Sequence, residues 1–297
     1  PKKDSTDRKY YDDSQEDRIR MRTGAFGINH KIFLRNNAYL QTILSATANE
    51  TDWKTKALNQ SEQLVPFSNI LNTNWEYALS SYINQNFPST QTNRTGKRVR
   101  FLNYDLFINR AANVGGDPAE IVKARGRSVL SSAFTNSSIF LTSGLRLNIG
   151  VSAQHFSLNN NYSIEPRMAI TQNIGEKHTL GLAYGLHSRI ERLYLYYNNS
   201  LSTGEKAVNK NMGFTKAHHF VLSYDWNITD IIHLKVEPYF QQLYNVPVME
   251  GTSFSAVNFQ SDWFFAEKMV NKGEGRNYGL DITLEKYMSN GFYYMAT

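Results

Sequence analysis

Two alternating runs, KAHHFVLSYDW and IHLKVEPYFQQLY, flank the short polar segment Asn227-Ile228-Thr229-Asp230. In the first run Phe220, Leu222, Tyr224 and Trp226 share one parity and His219, Ser223 and Asp225 the other, with Val221 as the exception. In the second, Ile232, Leu234, Val236, Pro238 and Phe240 oppose His233, Lys235, Glu237, Tyr239 and Gln241. A period of two over this length predicts strands with one apolar and one polar face, and the compact reversal between them predicts an antiparallel hairpin.

The same pattern recurs along the chain. Leu145, Leu147, Ile149, Val151 and Ala153 alternate; so do Ile164, Pro166, Met168 and Ile170 against Glu165 and Arg167, and Leu180, Leu182, Tyr184 and Leu186 against Gly181, Ala183, Gly185 and His187. Tyr278, Leu280, Ile282 and Leu284 make a further run near the end. Towards the N-terminus the alternation is weaker. Strands are read over 23–34, 38–50, 74–87, 98–108 and 128–141, with a slip of parity near Leu102 read as a bulge. Residues 1–22 read as a charged loop or arm, and AEIVKARGR as a short helix within a loop.

Connection lengths set the expected architecture. Short reversals fall at Arg35–Asn37, Thr142–Gly144, Gly175–Lys177, Asn227–Asp230 and Ser289–Gly291. Long excursions fall at Glu50–Thr73, Asn109–Arg127, Ile190–Thr215 and Asn245–Arg276, and Asn159–Asn161 is a short turn at the long-loop end. Successive strands run up and down, so this is the asymmetry of an outer-membrane barrel, with short periplasmic turns and long extracellular loops. The expectation is an all-β chain: an antiparallel transmembrane β-barrel portion over 23–297, about twelve strands of a larger barrel.

Composition fits and narrows this. The chain has 297 residues, no Cys, and 13% aromatic residues. Without Cys there is no disulfide framework and no thiolate metal site. No apolar run is long enough for a membrane-spanning helix, which leaves strands as the means of crossing. The formal charge of +6 shows no contiguous basic run of the kind that marks a nucleic-acid groove. The polar opening, without a signal peptide, and a last strand that stops in mid-run suggest a piece of a longer protein.

The polar parity mixes Gly, Ser, Thr, Gln and His with Glu165, Arg167, His187, Lys235 and Glu237, read as lumen-facing, the four charges forming an ion-pair ladder. Tyr162, Tyr224, Trp226, Phe240, Tyr278 and Tyr287 lie at strand ends, where bilayer interfaces gather aromatic rings. Pro166 and Pro238 donate no ladder hydrogen bond, so each marks an edge, bulge or local break.

The blocks SAQHFSLNNNYSIEPRMAI, EKHTLGLAYGLHSR, FTKAHHFVLSYDW, LKVEPYFQQLYNVPV, DWFF and GRNYGLDITLEKY resemble the barrel of TonB-dependent receptors of the Bacteroidota type, and RTGAFGINHKIFL and SSYINQNF are similar to earlier strands of that barrel. The resemblance implies a larger barrel around a plug domain, which this sequence lacks together with a TonB-contacting segment. It also implies a bacterial outer-membrane location, outer-membrane lipid around the barrel, the TonB complex acting through the plug, and a surface lipoprotein partner. The implied function is uptake of a scarce nutrient, such as a siderophore, vitamin or oligosaccharide, without a cofactor and without bond chemistry.

Candidate ligand contacts are loop aromatics and cations: Trp53, Tyr194, Tyr196, Tyr197, Trp263, Phe264 and Phe265, with Arg189 and Arg192 at a loop base. Such rings equally suit packing of the loops on themselves. A barrel enzyme would need a rim constellation drawn from His155, His187, Ser188, His218, His219 and Asp225, but no G-x-S-x-G elbow or H-E-x-x-H motif is present. His218 and His219 are adjacent in a strand and point to opposite faces, so they cannot chelate one metal together. A passive porin or structural barrel is the remaining alternative.

Overall fold

The computed structural model describes residues 8–35, 37–87, 90–255 and 265–297. Twelve strands form one sheet in strict sequence order, each antiparallel to the next. They are β1 (Gln15–Arg35), β2 (Ala38–Leu58), β3 (Leu64–Phe87), β4 (Gln91–Ala111), β5 (Pro118–Phe140), β6 (Leu145–Phe156), β7 (Asn161–Ile174), β8 (His178–Arg189), β9 (Thr215–Thr229), β10 (Ile232–Met249), β11 (Met269–Ser289) and β12 (Phe292–Ala296). The sheet is not closed, and β1 and β12 are its two edges.

The connections at one end are 36–37, 88–90, 141–144, 175–177, 230–231 and 290–291, all short. Asn36 lies outside the described residues, as does part of 88–90. At 290–291, Asn290 and Gly291 both have positive φ, 53° and 78°, the two-residue turn whose twist matches a right-handed hairpin. The opposite end carries 59–63, 112–117, 157–160, 190–214 and 250–268. One end thus carries only short turns, and the two long connections, 190–214 and 250–268, both lie at the other, as the pattern predicts.

Four expectations are corrected. The excursions at 50–73 and 109–127 are mostly strand: β2 and β3 stay paired out to Leu58 and Leu64, and β4 and β5 out to Ala111 and Pro118. AEIVKARGR forms no helix, because Ile121 and Val122 are buried on β5. The charged arm is strand from Gln15 onward. The parity slip at Leu102 is not a bulge, since β3 and β4 pair there without a register shift. Val99 and Phe101 face outward, whereas Leu102, Tyr104, Leu106 and Ile108 face inward and are buried. The apolar face changes sides because β4 leaves the membrane band and its inner surface is covered by a loop.

From β6 to β11 the outward face is a continuous apolar band. Ile149 pairs with Met168, Ile170 with Leu182, Leu182 with Leu222, Val236 with Ile282, and Pro238 with Leu280. Leu182 and Leu280 remain more than half exposed, 55% and 56%. An apolar surface this broad is the kind that a partner or bilayer covers. Aromatic and His rings stack at its two margins. Tyr184, His218 and Tyr244 lie at the outer margin, with centroids 6.0 and 5.1 Å apart, and His178, Tyr224 and Trp226 at the inner one, 5.9 Å apart in both pairs. From Trp226 to His218 is ~27 Å along β9, or roughly 20 Å after strand tilt, close to the ~25 Å lipid-facing band of outer-membrane barrels.

Pro166 and Pro238 each mark a local break. Pairing of β7 with β8 starts at Arg167 and Gly185, so the two strands part at Pro166. Pairing of β9 with β10 skips Glu237 and Pro238 without a change of register.

Leu222 sits mid-band on the outward face and Ser223 beside it on the inward face. Leu222→Arg is expected to destabilise the barrel by about 2–4 kcal/mol, and Ser223→Arg by much less. Denaturant titration of the full-length protein in lipid vesicles measures both.

Candidate ligand-binding site

The connection 190–214 folds inward over the sheet. Its one-turn helix (Leu193–Tyr196) places Tyr194, Leu195 and Tyr196 against Ile108, Val122, Leu130 and Phe156 from β4, β5 and β6, and Met212, Phe214 and Phe265 complete this core. Tyr196 is fully buried, its ring 5.5 Å from Phe156 in an edge-to-face contact. The Tyr197 and Tyr104 hydroxyls hydrogen-bond to one another. Polar ties fix the rest: Asn159 Nδ2 donates to the Met212 carbonyl (2.6 Å), Asn209 Nδ2 to the Glu267 carbonyl (3.0 Å), and the Met269 N–H to Asn209 Oδ1 (2.7 Å). The loop is thus a packed lid on the inner wall.

At the base of this lid is a cavity of about 540 Å³. Its wall includes His187 and Arg189 from β8, Arg192 and Tyr194 from the loop, Lys216 and His219 from β9, and Gln241 from β10. Glu191 is the acidic member, and it is held. Thr215 Oγ1 donates to its carboxylate (2.5 Å), Arg189 lies 3.9 Å away, and its backbone N–H donates to the Tyr196 hydroxyl (3.2 Å). Cations therefore dominate the free wall. His187 and His219, with ring centroids 4.6 Å apart, also line a second depression of about 550 Å³ that reaches Arg94 and Arg167 further down the inner face. The two hollows share this pair of rings.

Four sequence candidates, Arg189, Arg192, Tyr194 and His187, meet in the upper cavity, and Arg167 joins the lower one. Others have packing roles. Tyr196 and Phe265 are core residues, and Tyr197 is engaged by Tyr104. Trp53 packs at the edge of the core and donates its indole N–H to Asp17 (2.9 Å), away from the cavity. Trp263 and Phe264 lie outside the described residues.

Glu165 and Arg167 pair within β7 (2.9 Å), and Lys235 and Glu237 within β10 (2.9 Å). Two strands separate these pairs, so they form no ladder across the wall. Glu165 is buried, accepting from Gln154 Nε2 (2.5 Å) and from the Ser188 hydroxyl in the gap that opens at Pro166. Lys216, His219, Gln241 and Glu191 had not been singled out for this cavity. The available signal was cross-strand: Gln241 pairs with His219, and His219 with Gly185, two residues before His187.

No protein-family model and no curated protein matches the chain. Solved structures do. A ferric enterobactin receptor from Pseudomonas aeruginosa superposes with a TM-score of 0.68 at 13% identity, covering 93% of this chain and 43% of that one. The RagAB peptide importer gives 0.62 at 11%, with 93% and 35% covered, and the copper transporter OprC gives 0.64 at 8%, with 95% and 45% covered. The fold is that of an outer-membrane receptor barrel. At these identities the likeness concerns the fold, and the barrel portion seen here spans 35–55% of the length of such chains.

Replacing Tyr196 by Ala is expected to cost about 3–5 kcal/mol locally and to release the lid, read as faster amide exchange over 190–214. Burial holds the Tyr196 and Tyr197 phenols above their ordinary range. A released lid ionises these groups at about pH 10, before a docked one does. The docking they support is therefore complete below that pH and is lost as pH rises above it, measurable in the same exchange experiment across the alkaline range.

Proposed function

We propose that this chain is the wall of an outer-membrane receptor of the TonB-dependent class, of the Bacteroidota type, that imports a scarce nutrient. The observation that carries the reading is a folded outer loop docked inward over a cationic cavity, on the inner face of a sheet whose outer face is apolar.

Arg189 and Arg192 favour a ligand with negative charge, such as a carboxylate-bearing metal chelate or an acidic oligosaccharide or peptide. Tyr194 offers an apolar edge, and the His187–His219 pair marks the route from the upper hollow to the lower one. Import consists of capture, release and passage, with no bond made or broken by these residues. The energy is supplied by TonB acting on a plug, and a surface lipoprotein above the loops belongs to the same proposal. The edges of β1 and β12 find partners in further strands, because an unpaired edge is untenable in lipid.

Uptake is tested with the full-length protein in cells supplied with ferric chelates, corrinoids, peptides or oligosaccharides as the limiting nutrient. One supplement is expected to support growth, and that growth to stop when the proton gradient is dissipated. Arg189→Ala with Arg192→Ala should lower uptake at least tenfold, about 1.4 kcal/mol, while the barrel still assembles. Gradient-independent entry, with rapid swelling of sugar-loaded vesicles, would instead identify a passive porin.

A further inference from the structure

The alternation that builds the wall also sorts charge, and on the outer surface it gathers cations just beyond the lipid-facing aromatic residues. On β3, Trp75, Tyr77 and Leu79 face outward, and Phe101 faces outward beside Tyr77 on β4. Tyr77 and Phe87 lie ~34 Å apart along the strand, or roughly 25 Å after tilt, so they bracket a bilayer-sized band. Immediately above Tyr77 the outward residues change character. Trp75 pairs with Asn103, which pairs with Arg127; Asp105 pairs with Arg125, and Phe107 with Lys123. Lys123, Arg125 and Arg127 are spaced two apart and so stand on one face.

These residues enclose a hollow. A depression of about 580 Å³ on the outer surface is lined by Trp75, Tyr77, Asn103, Arg125 and Arg127. Arg127 donates from Nε to Asn103 Oδ1 (3.0 Å), which orients the guanidinium and leaves its two terminal NH₂ groups without a partner among the described residues. Arg125 is 85% exposed and has only a long contact, 3.7 Å, to Asp105. The Trp75 indole N–H has no partner among the described residues. Oriented guanidinium donors, an aromatic floor and a position at the membrane boundary together suit an amphiphilic anion with its acyl chains against Tyr77 and Phe101. We infer that this outer depression binds the phosphorylated headgroup of a glycolipid in the outer leaflet, with Arg125 and Arg127 on the phosphate and Trp75 at the sugar–acyl junction. The inference rests on the barrel spanning the outer membrane and is independent of the inner cavity.

The test uses the full-length protein purified in mild detergent, with barrel assembly checked by its heat-dependent gel shift. Native mass spectrometry is expected to find bis-phosphorylated glycolipid bound to the wild type. Arg125→Ala with Arg127→Ala should lower occupancy at least tenfold, Arg125→Lys with Arg127→Lys should retain part of it, and Arg192→Ala in the inner cavity should leave it unchanged. Dephosphorylated glycolipid in the same detergent should not bind. Equal occupancy in the alanine variant, or equal binding of the dephosphorylated lipid, overturns the inference while leaving the receptor reading intact. Displacement by millimolar inorganic phosphate shows a simple anion site and overturns the lipid assignment. A protein that neither reaches the outer membrane nor shows the gel shift overturns both readings.

Discussion

Every backbone N–H and C=O that enters a bilayer has to be paired within the protein, since no water is there to pair it. The meander meets this demand by the shortest route, each strand bonding to its neighbours in sequence. With the backbone satisfied sideways, the side chains divide between two faces and the two faces can be assigned separate tasks. The outward face of β6–β11 becomes apolar, and the inward face is free to hold Arg167, His187, His219 and Lys235. A proline is tolerated only where a ladder can be interrupted. At Pro166 the interruption opens a gap, which Gln154, Glu165 and Ser188 fill with side-chain hydrogen bonds in place of backbone ones.

What the sequence made legible follows from the same division. Strands β6 to β11 were readable because lipid on one side and a polar interior on the other force a clean period of two, as in Leu145–Ala153 and Leu180–Leu186. The N-terminal strands were not, because β2 to β5 rise beyond the membrane band and the rule changes along each strand. Val99 and Phe101 obey the lipid rule and Leu102 to Ile108 the rule of a soluble core, so one straight strand reads as a slipped one. AEIVKARGR failed for a related reason: Lys123, Arg125 and Arg127 stand exposed on the outward face while Ile121 and Val122 are covered on the other.

The site was legible in part. Arg189 and Arg192 flank the loop base and line its cavity, as their position suggests. Ring-rich stretches left two roles open, because Tyr196 and Phe265 have the same sequence appearance whether they meet a ligand or a core. The partners of the cavity come from three strands, β8, β9 and β10, and only register brings His187, His219 and Gln241 together. A period of two disperses cations along the chain while concentrating them on a face, so a sequence without a basic run still carries a basic surface.

The docked loop separates two kinds of contact by their distance along the chain. Ladder contacts join consecutive hairpins, so each pair of strands can form with little chain to close. The hydrogen bond between Tyr104 and Tyr197 joins residues 93 positions apart, on β4 and in the connection that follows β8. Wall contacts are thus local in the chain, whereas the lid needs a surface supplied by β4, β5 and β6 together. A barrel arrested part-way would therefore display 190–214 undocked, with Tyr194, Leu195 and Tyr196 bare, a local signature of incomplete assembly that quality control could read.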